Sequence, residues 1–484
     1  MLSRRIRVTG APEAPLRAAL AALRARLDIP EDFPPEARAE AERAAKTPTP
    51  PPYGAAPPPY DATDLPFFTL DPPGSPDLDQ AAHLSRRGTG YRVRYAIADV
   101  AAFVVPGGAL DAEAGRRVNT LYFPDGRVPL HPVVLSEDAA SLLPGRARPA
   151  VLWTIDLDAE GRALTVDVRR ALVRSRARLD YAGVQRAVDA GTAEEPVALL
   201  REIGQARERQ EAARGGISLT VPEQRITERD HTYALSYRAP LPAEAWNAQL
   251  SLLTGMAAAD LMLGQGTGIL RTLPAAPDGA VARLRRTAKA LGIDWPHHVP
   301  YSAVISALDP HEPHHAAFLQ ECTTLLRGAG YTVFRDGALP AITTHAAVAA
   351  PYTHCTAPLR RLADRYALEL CLTAATNDSP PDWVLAALDA LPHRMADGAQ
   401  RASTVEHESI DIVAAALLKD RVGEVFDACV VDIDDHHADI GTVQLASPAV
   451  IGRIEGPDLP LGAPLRVRLL HATPGTTKPL FTPA

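Results

Sequence analysis

The sequence predicts an α+β fold: mixed sheets with surrounding helices, a small helical N-terminal domain and a closing β-barrel of the OB type. Three observations predict it. Residues 65–70, 81–86, 91–99, 151–157 and 163–173 are apolar or alternating runs of strand length, bounded by Gly, Pro and Asp. From about residue 182 the apolar positions fall at helical spacing, over 184–188, 196–214, 243–263, 279–291 and 314–326. From Gly423 short strands return, over 424–432, 440–446, 450–454 and 465–471.

Composition bounds the answer. At 484 residues the chain is long enough for two to four domains, and 46% hydrophobic residues is ordinary for a globular protein. A net charge of −8 excludes a uniformly basic nucleic-acid binder, although acid and base can be segregated on one surface. Only Lys46, Lys289, Lys419 and Lys478 are lysines, so 50 − 4 = 46 of the basic residues are Arg. That bias suits phosphate contacts, and it equally suits a genome rich in Arg and Ala codons. The four cysteines form no CxxC or zinc-like spacing and read as reduced thiols of a cytoplasmic protein. The basic start, Met1 to Arg7, lacks the apolar core of a signal peptide. No apolar run approaches the ~20 residues of a membrane span.

Leu16, Leu20, Leu23 and Leu27 recur at helical spacing, and Pro34-Pro35 opens a second helix running to Lys46. The unit 1–46 reads as a helix-turn-helix-like RNA binder or as a packing appendage or dimer contact. Seven prolines between Thr47 and Tyr60 form a stiff linker, with the boundary at 47–64.

Next comes Leu65-Pro66-Phe67-Phe68-Thr69-Leu70, a short buried strand that places Asp71 at its end. Pro72-Pro73-Gly74-Ser75-Pro76 forces a tight turn, because Pro fixes φ and Gly tolerates positive φ. The turn brings Asp77 and Asp79 back beside Asp71. Residues two apart in an extended backbone share a face, so Asp77 and Asp79 face one point with Leu78 buried behind them. Three carboxylates in nine residues, with no Lys nearby, repel unless a cation intervenes. A hard divalent ion such as Mg²⁺ takes such oxygen ligands. The other reading is an acidic surface turn. The EF-hand pattern with its closing Glu is absent.

Residues 81–86 and 91–99 form a hairpin around Arg87-Gly88-Thr89-Gly90, and Asp99 ends the second strand as a site residue or as a turn cap. Residues 151–157 and 163–173 pair across Ala159-Glu160-Gly161. Arg174, Arg176 and Arg178 then line a channel or a solvated strand face. Asp278 and Gly292 bracket one of the later helices, and Gly264-Gln265-Gly266-Thr267-Gly268 terminates another, because it follows a helix rather than a strand. Thr356-Ala357-Pro358 reads as a helix start. Arg360 and Arg361 then fall in the first turn, where cations are disfavoured and an anion is welcome. A phosphate ligand explains them, or Asp364 pairs with Arg360.

The carboxylate stretch, Tyr95-Ala96-Ile97-Ala98-Asp99-Val100 and Tyr352-Thr353-His354-Cys355-Thr356-Ala357-Pro358-Leu359-Arg360-Arg361 together resemble the catalytic domain of the RNase II / RNase R family over about residues 65–420. Asn119-Thr120-Leu121-Tyr122-Phe123-Pro124, Leu135-Ser136, Ser141-Leu142 and Glu406-His407-Glu408-Ser409-Ile410-Asp411 extend the resemblance in the same order. It implies an RNB-type catalytic domain at 65–420, an OB-fold barrel at 421–484 that guides single-stranded RNA, and processive hydrolysis of RNA from its 3′ end to short 5′-phosphorylated products. The working unit is expected to be a monomer in the cytoplasm, free of membrane.

The resemblance also implies the site. Asp71, Asp77, Asp79 and Arg360 are the expected catalytic residues, with Asp71, Asp77, Asp79 and Gln80 as metal ligands and Arg360 on the scissile phosphate. Tyr122, Tyr181, Glu406 and Arg361 are the expected RNA contacts; Tyr122 would stack on the 3′-terminal base. Three departures weigh toward a catalytically weak RNA-binding protein. Gln80 stands where relatives have a fourth acid, which implies one weaker metal and better support by Mn²⁺. Asn247 lies where they have a Glu pair, and His407 replaces an Arg. Relatives carry two cold-shock barrels before the catalytic domain. A tethered helical cap in their place implies a wider entrance and tolerance of structured RNA with a 3′ overhang.

Overall fold

The computed structural model describes residues 14–48, 60–219, 223–229, 232–309, 312–326, 328–434, 437–445, 447–475 and 478–484. Helices α1 (Ala14–Arg26) and α2 (Pro35–Lys46) come first. They are followed by β1 (Tyr60–Asp71), β2 (Gln80–Arg87), β3 (Gly90–Ala98), α3 (Ala109–Arg117), β4 (Leu121–Phe123), β5 (Gly126–Val128), β6 (Ala147–Leu157) and β7 (Ala163–Asp180). A helical half then contains α4 (Tyr181–Asp189), α5 (Glu195–Ala213), the β8 (Glu223–Arg229) and β9 (Thr232–Arg238) hairpin, α6 (Pro242–Gln265), β10 (Gly268–Thr272), α7 (Asp278–Ala290), α8 (Tyr301–Ser306) and α9 (Pro313–Cys322). It continues through β11 (Gly330–Phe334), β12 (Thr344–His345), β13 (Ala350–Pro351), α10 (Leu362–Thr376), α11 (Asp382–Leu388) and α12 (Leu391–Leu418). Strands β14 (Val425–Ile433), β15 (Ile440–Leu445), β16 (Ile451–Glu455), β17 (Pro464–His471) and β18 (Leu480–Pro483) close the chain.

Strands β1, β2, β3, β6 and β7 form a closed barrel in that order, sealed by parallel pairing of β1 with β7. Successive strand residues face opposite sides. Phe68, Tyr95 and Trp153 therefore enter one core, shared with α5, α6 and α10. Phe67, Ala96 and Leu152 enter another, with Ala41 of α2 and Leu110 of α3. The pairing of β1 with β7 runs to Asp71↔Asp180, which sets the first carboxylate beside the start of α4.

Strand β1 begins at Tyr60, so residues 60–64, expected in the linker, already belong to it, and 60–62 pair with β7 through Tyr60↔Ala171 and Ala62↔Val173. Prolines 50–52 and 57–59, and the start from Met1 to Arg7, lie outside the described residues. The second barrel has the strand order β14-β15-β16-β18-β17. Its β18 escaped the periodicity because only four residues form it. The hairpin β8–β9 and the pair β10–β11 also lack a legible alternation; β10 pairs with β11 across about 60 residues of chain.

The N-terminal helices form where the Leu and Ala spacing predicts, but they are not a tethered cap. Leu16, Leu20 and Leu23 of α1 are buried against α12, the β4–β5 hairpin and the second barrel. Ala41 of α2 is buried in the core that holds α3. Each helix covers a different part of the body, because each carries its own apolar stripe.

Candidate active site

The carboxylate loop is fixed from behind. Ser141 is fully buried; its hydroxyl donates to the Pro76 carbonyl (2.8 Å) and accepts from the Leu78 N–H (2.9 Å). The Leu142 N–H donates to the Leu78 carbonyl (3.0 Å). Leu78 is thereby wholly buried, and its neighbours Asp77 and Asp79 turn to the other side, as alternation predicts. Gly74 takes φ +83°, the conformation the proline-rich turn demands of it. Arg178 donates to the Ser75 carbonyl (2.7 Å) and Arg176 to that of Thr63 (2.7 Å), so these two arginines clamp β1 and its loop.

The opposing wall comes from far along the chain. Helix α6 lets residues 352–353 approach at Gly255, where a Cβ would lie 2.5 Å from the Thr353 carbonyl oxygen. The backbone then turns through 356–361. Here the structure corrects the expected helix start: α10 begins at Leu362, with Arg361 as its N-cap residue. The N–H groups that a cap would serve are used elsewhere. Ala357 N–H donates to Asp364 Oδ2 (2.7 Å) and Leu359 N–H to Asp79 Oδ1 (2.8 Å). Arg360 Nε donates to Asp79 Oδ2 (3.2 Å), so the partner of Arg360 is Asp79 and not Asp364. Asp364 instead takes Arg361, through three contacts of 2.7–3.2 Å. Arg361, expected on the RNA, thus holds the turn. The segment before β4 completes the wall: Thr120 N–H donates to the Arg360 carbonyl (3.0 Å), and Leu362 N–H to the carbonyl of Val118 (2.9 Å). Val118 sits at φ +68°, a strained conformation for a β-branched residue.

Asp79 is 3% exposed. Burial raises its carboxyl to about 7, against the opposing pull of Arg360 and the Leu359 N–H, and repulsion from Asp77 adds to the rise. Asp77 has its own counter-ion, Arg127 of β5, at 2.8 Å; the same guanidinium holds Glu137 at 2.5 Å. Sequence reading missed Arg127, since an Arg in a turn normally faces solvent. Tyr122 is 47% exposed, and its hydroxyl donates to Asp77 Oδ2 at 3.5 Å. Gln80 opens β2, and its side-chain N–H donates to the Thr356 carbonyl. Tyr181 opens α4 next to Asp180, the register partner of Asp71, and accepts from Asn247 Nδ2 (3.2 Å). Burial pushes Tyr95 well above the usual phenol range, and the charges around it belong to Tyr181, Asp71 and Arg360. Glu406 lies on α12, directly after Val405, which packs in one cluster with Leu121 and Phe123 on either side of Tyr122. Asp99 is paired with Arg170 (2.9 Å), which also holds Glu369, and its side chain does not cap the turn that follows.

A hard divalent ion suits the oxygen donors of this loop. Among the described residues no three His, Cys, Asp or Glu side chains converge as a ready-made metal cage. Asp77 and Asp79 each face a guanidinium instead. The donor set therefore fits an ion that takes one or two carboxylates and completes its shell with water and substrate phosphate, the usual mode for Mg²⁺.

Two intertwined features define the class: a five-stranded barrel that carries a carboxylate loop, and an Arg turn closing on it. The chain belongs to the RNB family. The RNB domain model matches residues 60–376, and a second model, the RNase II-type exonuclease C-terminal S1 domain, matches 424–484. The exosome complex exonuclease dis3 of Schizosaccharomyces pombe is 27% identical over 313 residues, 61% of this chain and 32% of that protein. The chain thus spans about a third of the length of this curated relative. The apo form of Mycoplasma genitalium RNase R superposes with a TM-score of 0.85 at 20% identity, covering 97% of this chain and 78% of that one. Yeast Ssd1, a pseudonuclease, superposes with 0.69 at 15% identity over 87% of this chain and 53% of its own. The fold by itself therefore does not decide between cleavage and binding. Among the described residues no helix is long and apolar enough to cross a membrane.

Proposed function

We propose that this chain is a hydrolytic 3′→5′ exoribonuclease that degrades single-stranded RNA processively to short 5′-phosphorylated products. One observation carries the reading: a buried carboxylate, Asp79, held by the Arg360 side chain and the Leu359 N–H on a turn 280 residues away. Such a pair places a metal-binding anion and a phosphate-binding cation at one point. Asp71, Asp77, Asp79 and Gln80 would hold the ion, Mg²⁺ or Mn²⁺, one or two carboxylates directly and the rest through water. When bound, it activates water and stabilises charge on the phosphodiester. Arg360 neutralises the phosphate. Water adds to phosphorus, the P–O3′ bond breaks, and the proton goes to the departing O3′. The shortened chain keeps a 3′ hydroxyl, and the released nucleotide keeps its 5′ phosphate. Tyr122, Tyr181 and Glu406 hold the last nucleotides. The reading includes a monomer as the working unit. The free cysteines Cys322, Cys355, Cys371 and Cys429 support a cytoplasmic setting.

The test is digestion of 5′-labelled single-stranded RNA with Mg²⁺ or Mn²⁺. A descending ladder is expected. Stable binding without shortening would favour the second reading, a catalytically weak RNA-binding protein, for which the engagement of Gln80 by Thr356 and of Asp77 by Arg127 speaks. The docking of α1 and α2 removes the tethered cap from which a wider entrance was expected, so structured RNA with a 3′ overhang is left to the digestion of a hairpin with a long overhang.

Tyr122→Ala should lengthen the final product by one or more nucleotides, since base stacking on an aromatic ring is worth ~1–3 kcal/mol. An unchanged ladder would make Tyr122 a packing residue. The metal requirement should also follow pH. With its carboxyl near 7, Asp79 is mostly protonated at pH 6 and mostly ionised at pH 8. Only the ionised form binds a cation, so half-maximal cleavage should need about ten-fold more metal at pH 6 than at pH 8. A metal titration that gives one midpoint at both pH values would remove Asp79 from the ligand set.

A further inference from the structure

The hairpin that carries both Tyr122 and Arg127 has little means of holding itself in place. Strands β4 and β5 are three residues each, and among the described residues they pair only with each other. A lone two-stranded hairpin is marginal in water. Yet two of its side chains reach Asp77 from this ribbon, Tyr122 at 3.5 Å and Arg127 at 2.8 Å.

Helix α12 packs against β4 through Val405, and helix α1 closes over the same cluster. Leu16, Leu20 and Leu23 are 4%, 0% and 3% exposed, in one cluster with Leu121, Phe123 and Val128 of the hairpin. Arg24 adds directed contacts. Both its terminal nitrogens donate to the Asp125 carboxylate, one at 3.1 Å, and its guanidinium carbon lies 4.1 Å from the centre of the Phe123 ring. Phe123 and Asp125 follow Tyr122 by one and three positions. The Arg24 and Asp125 side chains are only 10% and 18% exposed, so the pair is largely shielded from water. The same helix touches the other side of the site: Arg26 pairs with Glu408, two positions after Glu406, and Val405 shares the α1 cluster. One helix therefore touches both elements expected to grip the last nucleotide.

We propose that α1, with Arg24 as its anchoring contact, is a positioning element that sets the place of the β4–β5 hairpin over Asp77 and so sets the shortest RNA end the enzyme can retain. The retention half rests on the exoribonuclease reading; the positioning half does not. Arg24 touches neither the carboxylates nor Arg360, so it is a positioning residue.

The test uses the full chain with Arg24→Ala, Asp125→Ala and the charge exchange Arg24→Asp with Asp125→Arg. Without RNA, amide hydrogen exchange in residues 121–128 should quicken about ten-fold in each single variant and recover in the exchange variant. Exchange in β3 and β6 should not change. With long RNA, the initial cleavage rate should stay within about two-fold, while the final product lengthens in the single variants and shortens again in the exchange variant. Unchanged exchange at 121–128 in both single variants would overturn the positioning role. Loss of protection throughout the chain would overturn it as well, because Arg24 would then serve the whole fold. Faster hairpin exchange with an unaltered final product would overturn the retention half. If the unmodified chain never shortens RNA, the exoribonuclease reading fails, and the exchange experiment still decides what α1 does.

Discussion

Replacing Asp79 with Asn is expected to abolish RNA shortening while leaving RNA affinity within a few-fold. Asn is nearly isosteric, and its carbonyl can still accept from the Leu359 N–H, which now meets Asp79 Oδ1 at 2.8 Å. What disappears is the negative charge. That charge is needed to hold a divalent ion, and metal-assisted stabilisation of the phosphodiester is worth several kcal/mol, so the rate should fall roughly 10³-fold or more. Stability should hardly suffer. Burial already raises the carboxyl to about 7, which means that the ionised form is costly to keep inside. The measurements are a single-turnover cleavage rate, a filter-binding affinity and a urea midpoint on the same preparation. Near-normal cleavage by the variant would remove the metal assignment.

The adjacent arginines should fail in opposite ways. Arg361→Ala leaves Asp364, whose side chain has no exposed surface, without its cation, while the Ala357 N–H still donates to it. Breaking a buried pair from one side costs about 3–5 kcal/mol. The variant should therefore show a much lower urea midpoint, and any loss of RNA affinity should follow from unfolding. Arg360→Ala removes a side chain that is 30% exposed, whose partner can take up a proton. Its stability loss should be the smaller of the two, with a cleavage loss of about 10²–10³-fold. If Arg361→Ala stays fully stable and loses only RNA affinity, Arg361 belongs on the RNA after all.

Local features of the site were legible where one segment decides them. Pro72 to Pro76 and the alternation of Asp77, Leu78 and Asp79 dictate a turn with two carboxylates on one side, and Leu78 is indeed fully buried. Helices α4, α5, α6 and α7 appear within a few residues of where apolar spacing puts them. What escaped depends on distant partners. Thr356 and Pro358 imitate a helix start, but tertiary contacts to Gln80, Asp79 and Asp364 take the polar groups of that turn and delay the helix to Leu362. Arg127 carries no signal in the sequence because its partner Asp77 is 50 positions away. The stripe of α1 announces a helix without saying what it will cover, so a packing appendage and a tethered cap fit it equally.

The 280-residue separation of Asp79 from Leu359 has a consequence during synthesis. Contacts this far apart in sequence close late, because the loop between them must be ordered first. A ribosome that has delivered the barrel has made every carboxylate of the loop, but neither Leu359 nor Arg360. Until those residues emerge, Asp79 lacks the N–H and guanidinium that hold it. On the exoribonuclease reading, the nascent chain would be inert toward its own message for most of the time the two remain joined. The long-range closure would then act as a timer, set by the order in which the gene is read.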